Sequence, residues 1–332
     1  MRESVLEHLL PADGELAAHL RGSMEELETR LRAVATDSSD PLIAEAAGYL
    51  LDAGGKRWRP LLVLLGAQFG DPGTASVLDA AVTVELIHAA SLYHDDVMDE
   101  APLRHSVPSA QIRWGNTIAI LVGDHLFARG ATVSLGLGEP ARRAQAHAFE
   151  RLVRGQIREV AGPRPGEDAV EHYLDVVRDK SAALIALAVR LGGICAGADD
   201  RIVGDLTEYG EALGVAFQLS DDLIDILSPP VNSGKAQGTD LRAGLVTLPM
   251  LHALREAGAV RLREILGGGP VEDPALHAEA LDLLRASPGM ASARLEAERH
   301  TARARAAARR LPDLPARQVL ESLCDLVGGR SS

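Results

Sequence analysis

Two short acidic motifs raise the first chemical question in this chain. The stretch "YHDDVMDE" carries Asp95, Asp96 and Asp99, and "FQLSDDLIDI" carries Asp221, Asp222 and Asp225. Both have the form D-D-x-x-D inside a strongly helical pattern. Positions i and i+4 of a helix lie one turn apart on one face, so Asp95 pairs with Asp99 and Asp221 with Asp225. His88 stands seven residues before Asp95, and Gln218 seven before Asp225, each near the same face. A single motif of this form is most often a solvated helix face. Here the flanks are apolar right up to the acids, so both helices should be largely buried. Neighbouring buried carboxylates repel and need a counterion. Mg²⁺ suits them, because it takes one or two carboxylates and completes its shell with water and phosphate oxygens. Two such helices facing each other would hold Mg²⁺ ions that bridge to a diphosphate.

The cations fit the same chemistry. Of 34 basic residues only three are lysines, Lys56, Lys180 and Lys235, and each lies in or beside a Gly, Ser or Asp cluster. A compact ammonium at such points suits an anion. Lys180 in "RDKSAA" and Lys235 in "SGKAQGTD" would reach a diphosphate held by the metals. The loop "GGKRWRP" offers Lys56, Arg57 and Arg59 to a second anion, and "PLRHSVPS" adds Arg104, His105 and Ser106 just after the first acid motif.

The elements that must position these groups read as helices. Apolar periodicity predicts them over 1–35, 41–52, 61–70, 76–99, 113–131, 141–161, 169–197, 199–227 and 241–257. Period-2 alternation and Asn-Gly hairpin signals are nearly absent. Apolar residues make up 46% of the 332, enough for a sizeable core. The net charge of −13 excludes a nucleic-acid binder, since no basic face offsets it. No run of 18 apolar residues is evident, so no integral membrane span is expected. Two distant cysteines suit a reducing compartment, and a cytoplasmic protein is expected.

In family order, "GGKRWRP", "ELIHAASLYHDDVMDE", "GNTIAILVGDHLFA", "GQIRE", "DKSA", "FQLSDDLIDI" and "SGKAQGTDLRAGLVTLP" resemble the trans-isoprenyl diphosphate synthases, or polyprenyl synthetases. The matching motifs span about 40–255. The resemblance implies one all-α domain over 1–332, an isoprenoid-synthase-type helical bundle around a central cavity, and a homodimer. It implies that Asp95, Asp96, Asp99, Asp221 and, through water, Asp225 hold about three Mg²⁺ on an allylic diphosphate. Arg104, Lys180, Gln218 and Lys235 would complete that site, with Lys56, Arg59 and His88 holding isopentenyl diphosphate. The implied reaction is head-to-tail condensation of the two. The tail would run back along the helix from Asp95 past Ser91, Ala90 and Ile87. Small residues at the first two positions imply a product of C20 or longer, with a long quinone-type chain preferred.

One departure stands out. The family pattern after the first motif is R-R-G-x-P-[ST], and here it reads "RHSVPS". Arg104 keeps the arginine that faces the allylic side, whereas His105 replaces the one that contacts isopentenyl diphosphate. Two alternatives follow: a class I terpene cyclase-like enzyme of the same fold, or a weakly active partner subunit. Both acid motifs and all three lysines disfavour the second, and the intact "GGKRWRP" with His88 disfavours the first. A helical cation-binding protein without turnover would gain nothing from so many nearby cations.

Overall fold

A computed structural model describes residues 14–227 and 237–329. Among these the chain is almost entirely helical, and the all-α expectation holds. The helices are α1 (Glu15–Ala35), α2 (Pro41–Ala53), α3 (Trp58–Ala67), α4 (Ala75–Met98), α5 (Ala110–Trp114), α6 (Asn116–Ser134), α7 (Glu139–Ala161), α8 (Ala169–Val177), α9 (Ala183–Cys195) and α10 (Asp200–Leu227). They continue as α11 (Thr239–Ala243), α12 (Leu248–Leu254), α13 (Val260–Leu266), α14 (Pro274–Ala286), α15 (Gly289–Ala308) and α16 (Pro315–Gly329). Several starts follow directly from sequence. Asp40 and Asp168 accept hydrogen bonds from the first-turn amides of α2 and α8, and Pro41 occupies the first turn of α2.

The described residues fall into two compact units. The first runs to Ala148 and includes Leu184–Thr207 and Ala308–Leu320; the second holds Phe149–Ala183, Glu208–Ala307 and the residues from Glu321 on. In the first unit α4 is the core helix, buried along most of its length. The Tyr93 hydroxyl ties it to α2, donating to the Ala46 carbonyl and accepting from the Leu50 amide at 3.3 Å. The crossing of α3 and α9 depends on Gly66 and Gly192. A Cβ on either would come within 2.3 Å of a carbonyl oxygen on the other helix, so the two backbones touch directly. The second unit has its own core, in which Leu174 and Val177 of α8, Leu219 and Leu223 of α10 and Leu281 and Leu284 of α14 belong to one buried cluster.

Three local features depart from the sequence reading. A two-residue antiparallel hairpin, β1 (Leu103–Arg104) and β2 (Val107–Pro108), follows α4. The stretch expected as one helix over 169–197 contains a turn of π-helix at Arg178–Ala182 between α8 and α9. The helix expected over 241–257 breaks, because Gly244 adopts φ +72° to end α11 and Pro249 sits in the first turn of α12. By length and composition alone, α4 and residues Asn116–Leu137 are each long and apolar enough to cross a membrane. The most apolar stretch of α4 is 61% buried within the protein, which marks it as a core helix; that of Asn116–Leu137 is only 33% buried.

Candidate active site

In the first unit, the last turns of α4 deliver the first acid motif. Asp95 is partly exposed and Asp99 exposed, one turn apart, whereas Asp96 points inward and is fully buried. Arg104, on β1, answers it: its Nε and Nη2 both donate to Asp96 Oδ1, at 2.8 and 2.5 Å. Asp96 Oδ2 is buried with no hydrogen-bond partner. Burial raises the Asp96 pKa, and the Arg104 guanidinium opposes that shift. Asp95 and Asp99 lie one turn apart on one accessible face, and carboxylates of this kind suit a hard divalent cation. Among the described residues, no three His, Cys, Asp or Glu side chains form a ready-made cation cage. Oxygen ligands from a bound anion and water would complete the shell.

The hairpin holds Arg104 and turns at His105 and Ser106. Both have left-handed backbones, φ +49° and +68°, as a two-residue type I′ turn requires. Ser109 Oγ and Gln111 Nε2 both donate to the Ala101 carbonyl, at 2.6 and 3.0 Å, and so brace the base of this loop. The His105 ring in turn reaches the basic loop, with Cε1 3.8 Å from where a Cβ on Gly55 would stand.

The three cations of that basic segment have different fates, Lys56 and Arg57 preceding α3 and Arg59 lying in its first turn. Lys56 is exposed. Arg57 is buried and committed: it donates to Glu28 Oε1 at 2.6 Å, Glu85 Oε1 at 3.0 Å and the Leu51 carbonyl at 3.0 Å. Its work is to fix the loop. Arg59 has a buried Nε with no partner; burial lowers its pKa and the Glu85 charge opposes this. His88, two turns before Asp95 on α4, is pushed well below the ordinary histidine value. Burial is the main cause, followed by the charges on Arg59, His105, Arg104 and Arg57. The shift favours the neutral imidazole, and the cations that contribute to it lie in the basic loop, the start of α3 and the hairpin.

Ser91 lies on the Asp95 face, partly exposed, with Oγ donating to the His88 carbonyl at 2.8 Å. Ala90 is fully buried at the contact with α6, where its carbonyl would stand 3.3 Å from a Cβ on Gly123. His94 shares that contact, its Nε2 lying 3.0 Å from the Ile120 carbonyl. Of the two small residues expected along the substrate tail, Ser91 is the accessible one.

In the second unit, a cavity of about 610 Å³ counts Glu159, Lys180, Ser181, Gln218, Asp222 and Asp240 among its lining residues. Asp221 is partly exposed and Asp222 buried. Asp222 accepts from the Tyr173 hydroxyl and from Gln218 Nε2 at 3.1 Å, and Ser181 Oγ donates to Gln218 Oε1 at 2.8 Å. Burial pushes the Asp222 pKa up to about 7. Asp225 is engaged by the chain itself: Oδ1 accepts from the Thr239 amide and hydroxyl at 3.0 and 2.6 Å, and Oδ2 from the Asp240 amide at 3.1 Å. It anchors the start of α11. Lys180 stands on the π turn and pairs with Glu159. Lys235 lies outside the described residues.

Tyr173 lies outside the motifs read from sequence, and Glu85 and Glu159 fall within two of them with no role assigned. Each looks like an ordinary helix residue until the tertiary structure gives it a partner.

Each unit thus carries acids on a buried helix with basic side chains nearby: Asp95, Asp96 and Asp99 with Arg104 in the first, Asp221 and Asp222 with Lys180 in the second. The profile of the polyprenyl synthetase family matches residues 40–284. The chain is 46% identical to the nonaprenyl diphosphate synthase of Mycobacterium tuberculosis over 321 residues, which is 96% of this chain and 95% of that one. Its fold superposes with a TM-score of 0.87 on the geranylgeranyl pyrophosphate synthase of Corynebacterium glutamicum crystallised with calcium and isoprenyl diphosphate, at 41% identity, covering 96% of this chain and 98% of that one. A decaprenyl diphosphate synthase from Rhodobacter capsulatus gives a TM-score of 0.86 at 33% identity, with 97% and 100% covered. The chain belongs to the polyprenyl synthetase family and is a prenyltransferase.

Proposed function

We propose that this chain is a Mg²⁺-dependent trans-polyprenyl diphosphate synthase. It joins isopentenyl diphosphate head-to-tail to an allylic diphosphate and makes a product of C20 or longer, with a long quinone-type chain preferred. The observation that carries the reading is the buried, unpartnered Nε of Arg59, with the partly exposed His88 near enough to Arg59, Arg104 and His105 to feel their charge. A diphosphate supplies the charge and acceptors that this cluster lacks. The relatives named for nonaprenyl and decaprenyl products support a long chain.

Each group then has a role. Lys56, Arg59, His88 and His105 hold isopentenyl diphosphate. Arg104, Lys180, Gln218 and Lys235 hold the allylic diphosphate. Asp95, Asp96, Asp99, Asp221 and Asp225 would hold about three Mg²⁺, the last through water. Held by these carboxylates, Mg²⁺ would supply positive charge to offset that of the diphosphate. The C–O bond breaks with its electron pair leaving on the diphosphate, where the lysines and Arg104 receive it. The π electrons of isopentenyl diphosphate form the new C–C bond, and a proton passes to the released diphosphate. The apolar face of α4 beyond Ser91 keeps water from the allylic cation.

We further read the chain as one catalytic domain, cytoplasmic and homodimeric. Exposed Ile112, Ile120, Leu121 and Leu135, on and beside α6, form an apolar surface suited to a second copy. The test is turnover of isopentenyl diphosphate with a C5 to C20 allylic diphosphate, with Mg²⁺ or with EDTA. Condensation only with Mg²⁺ supports the reading. Hydrocarbon release from the allylic diphosphate alone would replace it with a cyclase.

A further inference from the structure

We propose that Glu159 is a positioning residue that holds Lys180 when no diphosphate is bound and yields it when one arrives. This rests on the reading of Lys180 as a ligand of the allylic diphosphate, and it adds a reason for the "GQIRE" segment that contains Glu159.

The pairing is built by the fold. Gly155 lies one turn before Glu159 on the same face of α7. A Cβ at Gly155 would stand 2.6 Å from the Lys180 amide nitrogen, so α7 lies directly against the π turn that carries Lys180. The register of that contact is locked on both sides. Asp179, next to Lys180, accepts from Arg151 Nε at 3.0 Å and from Arg154 Nε at 2.7 Å, and Arg151 also donates to Glu211 Oε2 at 2.9 Å. One turn on, Arg158 donates to Asp175 Oδ2 at 3.1 Å and Glu167 Oε1 at 2.8 Å. Glu159 therefore meets Lys180 through rigid elements, and the ion pair faces the cavity, with side chains 33% and 24% exposed.

The position is electrostatically poor for an acid. Glu159 sits in the last turn of α7, where the helix dipole repels a carboxylate, and Asp222 and Asp240 line the same cavity. Lys180 is the cation that offsets this, and Glu159 is the group that keeps Lys180 from folding onto Asp222 or Asp240. Its carboxylate occupies the ammonium as a diphosphate oxygen would. The consequence concerns turnover. Every condensation leaves an inorganic diphosphate at Lys180, and elongation continues only once it departs. A resident carboxylate that recaptures Lys180 weakens diphosphate binding and speeds its release.

The test uses the full-length protein, with inorganic diphosphate and Mg²⁺ titrated by calorimetry beside steady-state kinetics. For Glu159→Gln, diphosphate should bind roughly two- to tenfold tighter, and KM for the allylic substrate should fall together with kcat. Glu159→Asp should restore most of the wild-type behaviour. In a Lys180→Ala background the effect of Glu159→Gln should vanish, which a merely structural role would not produce. Unchanged or weaker diphosphate binding in Glu159→Gln, with thermal unfolding like wild type, would overturn the proposal. A raised Mg²⁺ requirement would overturn it too, since Glu159 would then be a metal ligand. If wild type itself fails to elongate, the broader reading fails; if wild type elongates and Glu159→Gln binds no tighter, only this inference fails.

Discussion

Arg104 spends two of its donors on a single oxygen, Asp96 Oδ1, and leaves Asp96 Oδ2 buried without a partner. The pair ties the hairpin to the end of α4. It also means that the arginine assigned to the allylic diphosphate is oriented by an acid of the first motif before any substrate binds. Removing the arginine strands a buried carboxylate. Arg104→Ala should therefore cost about 2–4 kcal/mol in urea unfolding of the metal-free protein. Arg104→Ala combined with Asp96→Ala should recover part of that loss, which a double-mutant cycle would measure.

The His105 side chain stands at the tip of the turn, beside the Gly55 end of the basic loop. A guanidinium there would add a fixed charge and a second donor. In His105→Arg, KM for isopentenyl diphosphate should fall roughly tenfold, while KM for the allylic substrate changes little. Equal changes in both would move residue 105 away from the isopentenyl side.

The same turn holds Ser106 at φ +68°, a region that costs an L-residue energy and suits glycine. Ser106→Gly should raise stability by about 0.5–1 kcal/mol without changing product length. Thermal unfolding and product analysis would read the two outcomes.

His88 is neutral because burial and surrounding cations depress its pKa. Its stabilising contribution is present above the unfolded-state value near 6.5 and is lost as pH falls through the lower folded-state value. Wild type should thus lose stability more steeply than His88→Gln as pH falls below about 6.5. A neutral hydrogen-bonding role also predicts that His88→Gln keeps KM for isopentenyl diphosphate within a few-fold, whereas His88→Leu raises it well beyond that. Chemical unfolding from pH 5 to 8 and initial rates at neutral pH would check both.

Chain length should respond at Ser91 more cleanly than at Ala90. Ser91 is partly exposed on the Asp95 face, whereas Ala90 is packed where α4 crosses α6 near Gly123. Ser91→Phe should shorten the product while leaving the unfolding temperature near that of wild type. Ala90→Phe should lower stability first, since the added ring has no room at the crossing. A product unchanged in Ser91→Phe would remove Ser91 from the path of the tail.

Much of this was legible in the residues themselves. Apolar flanks around two D-D-x-x-D motifs gave buried helices with acids at useful points, and lysine scarcity singled out Lys56 and Lys180. Other features had no local signal. His105 and Ser106 are not the Asn-Gly pair that announces a type I′ turn, so the hairpin was hidden. The π turn at Arg178–Ala182 keeps helical periodicity almost intact, and it lies where α7 approaches closely at Gly155. Inside each acid motif, the sequence presents equivalent aspartates, and only packing separates them. Asp96 turns to Arg104, Asp222 to Tyr173 and Gln218, and Asp225 to the amides that open α11. Arg57 shows the same limit: it sits in a substrate-binding motif, yet Glu28 and Glu85 claim its guanidinium.

The most direct measurement is the mass of the product formed by the purified protein from isopentenyl diphosphate, Mg²⁺ and a short allylic diphosphate. An isoprenyl diphosphate of C20 or longer, built in five-carbon steps and absent when EDTA replaces Mg²⁺, is the expected result. A cyclic hydrocarbon made without isopentenyl diphosphate, or no product from any allylic diphosphate, would contradict it.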